Sequence, residues 1–509
     1  MSSEALLQAS KEGNIYVVKE LLSLPSCDLL ACEKDGNTAL YYAAEQGHLA
    51  VVQELVGRYT TPSTCKNMKG WNPLHVASVG GHLAVVEVLA QRFPGDLEAK
   101  DENGNTPLCL AALFGHIDSV DLLCQHFHCD PSAKGFRNRT ALHHACCGGH
   151  LSLVEKLIVE YECSPVATDM DENAPIHCAA YYGHTDVLFK LVGVHGCSLT
   201  LKGIQGTSVL HSACAGGHLS LARKLISEYG FDPMESDENG STSLHWAASG
   251  IDPLAHIGNF HAAALAGKEE VVRELITKYQ CPVNYVCNSG DTVMNLAAMH
   301  GHTGIVGVLV SEFGCSPEVK GQDGWTPLHA ACRGGHLVVV EKLVSEYSCD
   351  MDARENHGYT PLHVAAGHGR EEVVRELIAK YKCPVDCVDS SGNTPLHWAG
   401  TGGHTGVVRM LLSEFGADAT AHNKSNDTVL NLAALHGHAE LVGVLVSEFG
   451  CSPDVKGQYG WTPLHAACSG GHLVVVKLVS EYGCDLDTRN DDGHTLLHVA
   501  AALCGRRRL

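Results

Sequence analysis

Thr326-Pro327-Leu328-His329-Ala330-Ala331 returns as Thr360-Pro361-Leu362-His363-Val364-Ala365 and again as Thr394-Pro395-Leu396-His397-Trp398-Ala399, a step of 34 residues. Followed in both directions, the step lands on Thr38, Asn72, Thr106, Thr140, Ala174, Ser208 and Thr242, then on Thr292, Thr428, Thr462 and, one residue early, Thr495. A fixed period of this size is the mark of a repeat architecture, and nearly every residue of the chain falls inside it.

The residue types within one period predict two helices. Thr accepts a backbone N–H two or three residues on, and the Pro beside it fits a first helical turn, where no N–H bond is lost. The first helix therefore opens at Thr-Pro and stops about eight residues later at Gly, as in Gly334-Gly335 or Gly470-Gly471, where a left-handed residue closes it. The second helix follows directly. Its apolar positions, seen in Val271, Val272, Leu275 and Ile276, have amphipathic spacing, with Arg273 and Glu274 expected to face out. One such hairpin of 34 residues cannot bury its own apolar face, so copies must stack. Small pairs such as Ala43-Ala44 and Ala111-Ala112 allow close approach of helices. Between hairpins, Asp35-Gly36, Asn103-Gly104, Asn239-Gly240 and Asp323-Gly324 suit turns with positive backbone angles.

Thr-Pro-Leu-His-x-Ala at this period resembles the ankyrin repeat. The resemblance extends from about Ser2 to Ala502 in a dozen or more copies. It implies an all-α repeat solenoid with β-hairpin fingers, an ankyrin repeat stack in which each turn projects as a finger. The step is one residue longer than the family's usual spacing, and the excess falls at Ser345-Glu346-Tyr347, which predicts a longer second helix. Between Thr242 and Thr292 the step grows to 50, sixteen residues over, and Gly258-Asn259-Phe260-His261 lines up with Thr360-Pro361-Leu362-His363. The first helix is thus written twice. This divides the chain into a first stack over 1–249, an irregular insert or joint over 250–258, and a second stack over 259–509, continuous with the first.

Other departures lie near the ends. Val474-Val475-Val476-Lys477-Leu478 lacks the Glu of Val338-Val339-Val340-Glu341-Lys342-Leu343, which would turn the helix face by about 100° and loosen packing. Ser3 to Ser23 read as a terminal hairpin whose Lys11, Glu12, Lys19 and Glu20 supply the polar outer face of a cap. The last repeat stops after Val499-Ala500-Ala501-Ala502 and Arg506-Arg507-Arg508, without a second helix. It reads as truncated, so either a longer protein continues here or the uncapped repeat self-associates.

Composition narrows the functional classes. Of 509 residues, 45% are apolar and 18% charged, enough to bury a core, and the net charge of −22 repels phosphate backbones and anionic lipid heads. No nucleic-acid partner and no membrane insertion are expected, since no window reaches about 18 consecutive apolar residues and Met1 to Ser10 lack a signal-peptide pattern. Twenty-three Cys are too few for a disulfide scaffold, which points to reduced thiols and a cytoplasmic, intracellular setting.

Thirty-three His invite a metal or catalytic reading, yet ten stand at the fourth place of the motif, among them His75, His143, His329 and His498. Eleven more, including His48, His150 and His472, follow the Gly between the helices. The resemblance implies that the first set ties fingers together through ring N–H bonds to neighbouring backbone; the second set begins the second helix. The most metal-like group is His143, His144, Cys146, Cys147 and His150, with His143, Cys147 and His150 as weak ligand candidates. These are mostly period positions and no second ligand pair is identifiable, so no metal and no cofactor is assigned. Ten Cys, among them Cys129, Cys163, Cys197, Cys315, Cys349 and Cys383, share one register, but helices stack at about 8–10 Å, beyond the ~7 Å that a disulfide tolerates. Nucleophile elbows, phosphate loops, kinase signatures and zinc-protease helices are all missing from the sequence, which argues against an enzyme.

Two sets of positions escape the packing constraint. At the turn tips stand Trp71, Arg139, Trp325, Tyr359 and Trp461; at the ends of first helices stand Phe114, Tyr181, Tyr182 and Arg333. Aromatic and Arg side chains at exposed positions are typical contact anchors, although a tip Trp can also serve to cover the next finger. Asp291 to Val340 and Asp427 to Val476 are near copies, and two of their eight differences, Asp323 against Tyr459 and Arg333 against Ser469, fall on these positions. The expected function is a scaffold or adaptor whose concave face binds other proteins. The alternative is the ankyrin portion of a larger protein, a ubiquitin-ligase adaptor, channel or enzyme; a zinc-binding protein is a weaker third.

Overall fold

A computed structural model describes residues 2–25, 27–58, 66–249 and 261–500. The chain divides into two compact units, Met1–Glu238 with Ile251–Val271 and Asn239–Gly250 with Val272–Leu509. Each unit is a stack of helical pairs. In the first unit, Pro107–Leu113 is a first helix and Leu151–Val159 a second one; in the second unit, Pro361–Gly367 and Glu371–Ala379 are such a pair.

The helix starts follow the residues at the head of each motif. Thr106 Oγ1 accepts the Cys109 N–H at 3.3 Å and Asn72 Oδ1 the His75 N–H at 2.9 Å. Left-handed glycines close the first helices, as at Gly335 and Gly471 with φ of 82° and 76°. Core burial comes from the alanine pairs and from a Val-Val-x-x-Leu stripe on the second helices: Ala365, Ala366, Val374 and Leu377 are completely buried. Glu274 departs from expectation. It is buried rather than outward and holds the Lys278 ammonium at 3.2 Å, while Arg273 does reach outward, to Glu312 at 2.9 Å.

The thirty-fourth residue enters as a widened last turn. Leu122–His126 and Lys342–Glu346 are π turns, in which the Tyr347 N–H donates to the Lys342 carbonyl at 3.3 Å. A left-handed residue follows, Ser348 at φ 55° or Glu162 at φ 53°, and the next Cys N–H closes back on the helix: Cys349 on Leu343 at 3.0 Å, Cys163 on Leu157 at 2.9 Å. The extra residue therefore lies in the helix ending, not in added α-helical length.

β-hairpin fingers are not found among the described residues. Each finger is a tight turn in which, for example, the Asp101 N–H donates to the Asn105 carbonyl at 3.0 Å and the Gly104 N–H to the Asp101 carbonyl at 2.9 Å. Among the described residues pairing reaches only isolated bridges, such as Cys32 with Thr38 and Val286 with Thr292. Successive turns are tied by a single bond, such as Asn356 N–H to the Asp323 carbonyl at 2.7 Å, too little for a ladder.

The shortened helix Leu473–Glu481 keeps its frame. Val475 and Val479 are fully buried, so Val479 takes the place that Leu343 holds elsewhere, while Val476 is half-buried where Val340 is wholly enclosed. The stretch 250–258 lies outside the described residues, as does the chain beyond 500. The second copy of the first helix opens a single helix, His261–Thr277, that runs on as the second helix of its repeat.

Left-handed glycines between the helices also make room for the next repeat. At Gly403, φ 73°, an added Cβ would lie 2.4 Å from His438 Nδ1, whereas at Gly450, φ 66°, it would meet open space. Gly450→Ala is expected to cost about 1 kcal/mol from backbone strain alone, and Gly403→Ala roughly 2–4 kcal/mol because a ring must also move. Urea unfolding of both variants checks this; equal costs would contradict the close approach.

Candidate functional site

Histidines join successive repeats in both directions, and this decides which side chains remain free. In the motif set, ring Nδ1 accepts the backbone N–H of the helix-capping residue, Thr360 to His363 at 3.2 Å. A backbone N–H can only donate, so the hydrogen is on Nε2, which donates forward to the next turn: His363 to the Asn393 carbonyl at 3.0 Å, His329 to Tyr359 at 3.0 Å, His75 to Asn105 at 3.1 Å. The second set does more than begin a helix. His404 Nε2 bonds back to the Gly367 carbonyl at 3.0 Å, His438 to Thr401 at 2.9 Å and His116 to Val79 at 2.7 Å, each taking up a carbonyl that the end of a first helix leaves open. Arg370 takes the histidine's place in its repeat, donating from Nε to the Arg333 carbonyl at 2.9 Å. In the second unit, His302 bonds Ser249 across 53 residues instead of the usual 37.

A second network lies at the base of the turns. The carboxylate that opens a turn accepts its backbone N–H groups with one oxygen and holds a side chain with the other. Asp389 Oδ1 accepts from Asn393 at 2.8 Å and Oδ2 from the Trp398 indole at 2.9 Å; Asp101 Oδ2 accepts from the Trp71 indole at 3.0 Å. Arg139 is not exposed at a tip. It is entirely buried, with Nε 3.1 Å from Asp169 Oδ2, a pair that ties one turn to the next. Residue-type reasoning about tips cannot see this, because the acceptor lies 30 residues away.

The remaining candidates separate by burial. Tyr181 is buried, contrary to its assignment as an exposed anchor, and meets half-buried Tyr182 edge to face at 5.2 Å. Phe114 is 37% exposed. Tyr359 is half-buried and packs edge-on against Trp398, ring centres 4.8 Å apart. Trp325 is half-buried with the Arg333 guanidinium 5.9 Å from its ring centre, and Asp323 is exposed beside it. Trp461 is half-buried and Tyr459 exposed. Among the described residues the indole N–H groups of Trp325 and Trp461 have no acceptor, unlike those of Trp71 and Trp398. Trp398 and the turn carboxylates escaped the sequence reading; an Asp or Glu three residues before the turn Gly, as in Asp389 to Gly392 and Glu355 to Gly358, is the signal for them.

The metal candidates are engaged as ladder members. His143 bonds the Asn173 carbonyl at 3.1 Å, His150 the Leu113 carbonyl at 2.9 Å, and Cys147 is buried. Among the described residues no group of three His, Cys, Asp or Glu is placed to hold a metal ion. No helix there is long and apolar enough to cross a membrane.

Burial holds the motif histidines neutral, pressing His75, His143, His177 and His363 down to about 4 from the ordinary 6.5. Unfolding restores the ordinary value and takes up protons. Their stabilisation is thus complete above about pH 6.5 and declines as the pH falls towards 4. Asn431 shows a non-titrating replacement: its Oδ1 accepts the Thr428 N–H at 3.1 Å and its Nδ2 donates to the Trp461 carbonyl at 3.3 Å. Urea midpoints should fall from pH 7 to pH 5, and His363→Asn should reduce that loss by on the order of 1–2 kcal/mol. An unchanged pH slope would remove His363 from this account.

A family model described as Ankyrin repeats (3 copies) matches the chain in ten overlapping windows that together span residues 6–257 and 260–508. Comparison with curated proteins finds no match.

Proposed function

Because the chain belongs to the ankyrin-repeat family, whose repeats are generally protein–protein interaction modules, we propose that it is a scaffold or adaptor that binds partner proteins through its turn tips and first-helix ends. These line the concave face that the family's stacking implies, with the turns in the role of fingers. The observation that carries the reading is the contrast among tryptophans. Trp71 and Trp398 spend their indole N–H on turn carboxylates, while Trp325 and Trp461 keep theirs available at half-buried positions, next to Arg333 and Tyr459. Aromatic and Arg side chains held on rigid elements lose little entropy on contact, which is what makes them strong anchors. Tyr359 adds a half-buried ring in the same unit as Trp325 and Trp461, and Phe114 and Tyr182 are the corresponding candidates in the first unit. Buried thiols, such as those of Cys146, Cys178 and Cys332, fit a reducing, cytoplasmic setting.

Affinity capture with the intact chain, repeated with Trp325, Arg333 and Trp461 all changed to Ala, tests the reading. The triple variant should keep its melting temperature within a few degrees, since none of the three is fully buried, and lose captured partners at least tenfold. Undiminished capture would place the binding face elsewhere.

A further inference from the structure

The near copies Asp291–Val340 and Asp427–Val476, both in the second unit, surround the same indole differently. Trp325 has a cation from its own chain, the Arg333 guanidinium at 5.9 Å from the ring centre, within the range of a cation–π contact. In the other copy Ser469 stands where Arg333 does, and among the described residues no cation lies over Trp461. A cleft of ≈130 Å³ opens there instead, lined by Asp427, Leu432, Leu435, Tyr459, Trp461 and Ala466 among others. A cavity of about 150 Å³ accommodates benzene, so this one suits the end of a single side chain.

Charge selects the kind of side chain. No basic residue lines the cleft. Asp427 Oδ1 accepts the Gln458 N–H at 2.8 Å, and its other oxygen has no hydrogen bond among the described residues. Burial pushes the Asp427 carboxyl up, the mark of a carboxylate short of a counter-charge. A second carboxylate adjoins the turn, since an added Cβ on Gly460 would lie 2.2 Å from Asp491 Oδ1. The turn itself presents a ring at a cost in backbone energy. Tyr459 is 64% exposed at φ 55°, a left-handed conformation that a bulky residue disfavours and that Asp323 tolerates better at φ 59° in the other copy. The cleft thus holds two aromatic rings and the Asp427 carboxylate with no cation among its lining residues, the groups that receive a guanidinium.

Resting on the interaction reading above, we infer that the Trp461 cleft receives an arginine side chain of a partner polypeptide, in the place that Arg333 fills on Trp325. The guanidinium stacks on the indole and its N–H groups reach Asp427. The copy at Trp325 is closed to such a partner by its own Arg333.

The experiment titrates the ¹⁵N-labelled full chain with N-acetyl-Gly-Arg-Gly-amide and, separately, with the same peptide carrying neutral citrulline, reading the tryptophan indole resonances. The arginine peptide should shift the Trp461 resonance with one site per chain, and the citrulline peptide should bind at least tenfold more weakly. Ser469→Arg should abolish the shift by supplying the cation in cis, Asp427→Asn should weaken binding about tenfold, and Arg333→Ser should open a second site at Trp325. Absent binding, equal binding of the two peptides, or wild-type binding by Ser469→Arg overturns the inference. Loss of partner capture by the triple alanine variant with no arginine binding would overturn this inference alone, whereas arginine binding with undiminished capture would overturn only the general reading.

Discussion

The structure depends on histidine rings that reach both ways along the stack. A first helix of seven or eight residues leaves as many backbone groups open at its ends as it closes within, and such helices are marginal in isolation. The motif histidine answers the open N–H end through Nδ1 and passes a hydrogen bond forward through Nε2. The histidine after the glycine answers an open carbonyl of the preceding repeat. Each helix is thus completed by residues of its neighbours, and no repeat is satisfied alone. The neutral ring accepts and donates in one plane, as the amide of Asn431 also does, and burial keeps the ring in that form by depressing its pKa.

This constraint also sorts the surface. Polar atoms near the helix ends are consumed in joining repeats, and the turn carboxylates consume more, fixing Trp71, Trp398 and Arg139. What is left over is a short set of side chains around Trp325 and Trp461. These two sites began as near copies and now differ mainly in whether the chain provides its own cation, so duplication followed by two substitutions, Arg333 against Ser469 and Asp323 against Tyr459, has produced two surfaces of different character. The Arg139–Asp169 pair shows the opposite fate for a tip residue: once a buried carboxylate stands in reach, a guanidinium becomes internal mortar.

The irregularities obey the same logic. A thirty-fourth residue is absorbed where a widened turn leaves the buried stripe undisturbed, as at Lys342–Glu346. A missing residue in Leu473–Glu481 is absorbed by burying Val479 in the position Leu343 holds elsewhere. Across the longer step, His302 still finds the Ser249 carbonyl. The missing residue has a local cost, because His465 Nε2, which would donate forward to the next turn, is buried without a hydrogen-bond partner among the described residues.

The amino-acid order alone determined the repeat, its two helices and their capping by Thr, Asn and Gly, because these follow from spacing within one period and from residue chemistry; the forward role of the motif histidine was implied by the resemblance to ankyrin repeats. It also pointed to Trp325 and Trp461 through their place at the turn tips, and to Arg333 and Tyr459 through comparison of one copy with another as well. Tertiary structure decided what depends on partners about 30 to 37 residues away. The backward histidine bonds, the burial of Arg139 and Tyr181, the pinning of Trp71 and the collapse of the expected fingers into single turns are of this kind. A side chain's period position says where it starts, but whether it stays free depends on which acceptor the next repeat brings within 3 Å or so, and local sequence carries no record of that distance.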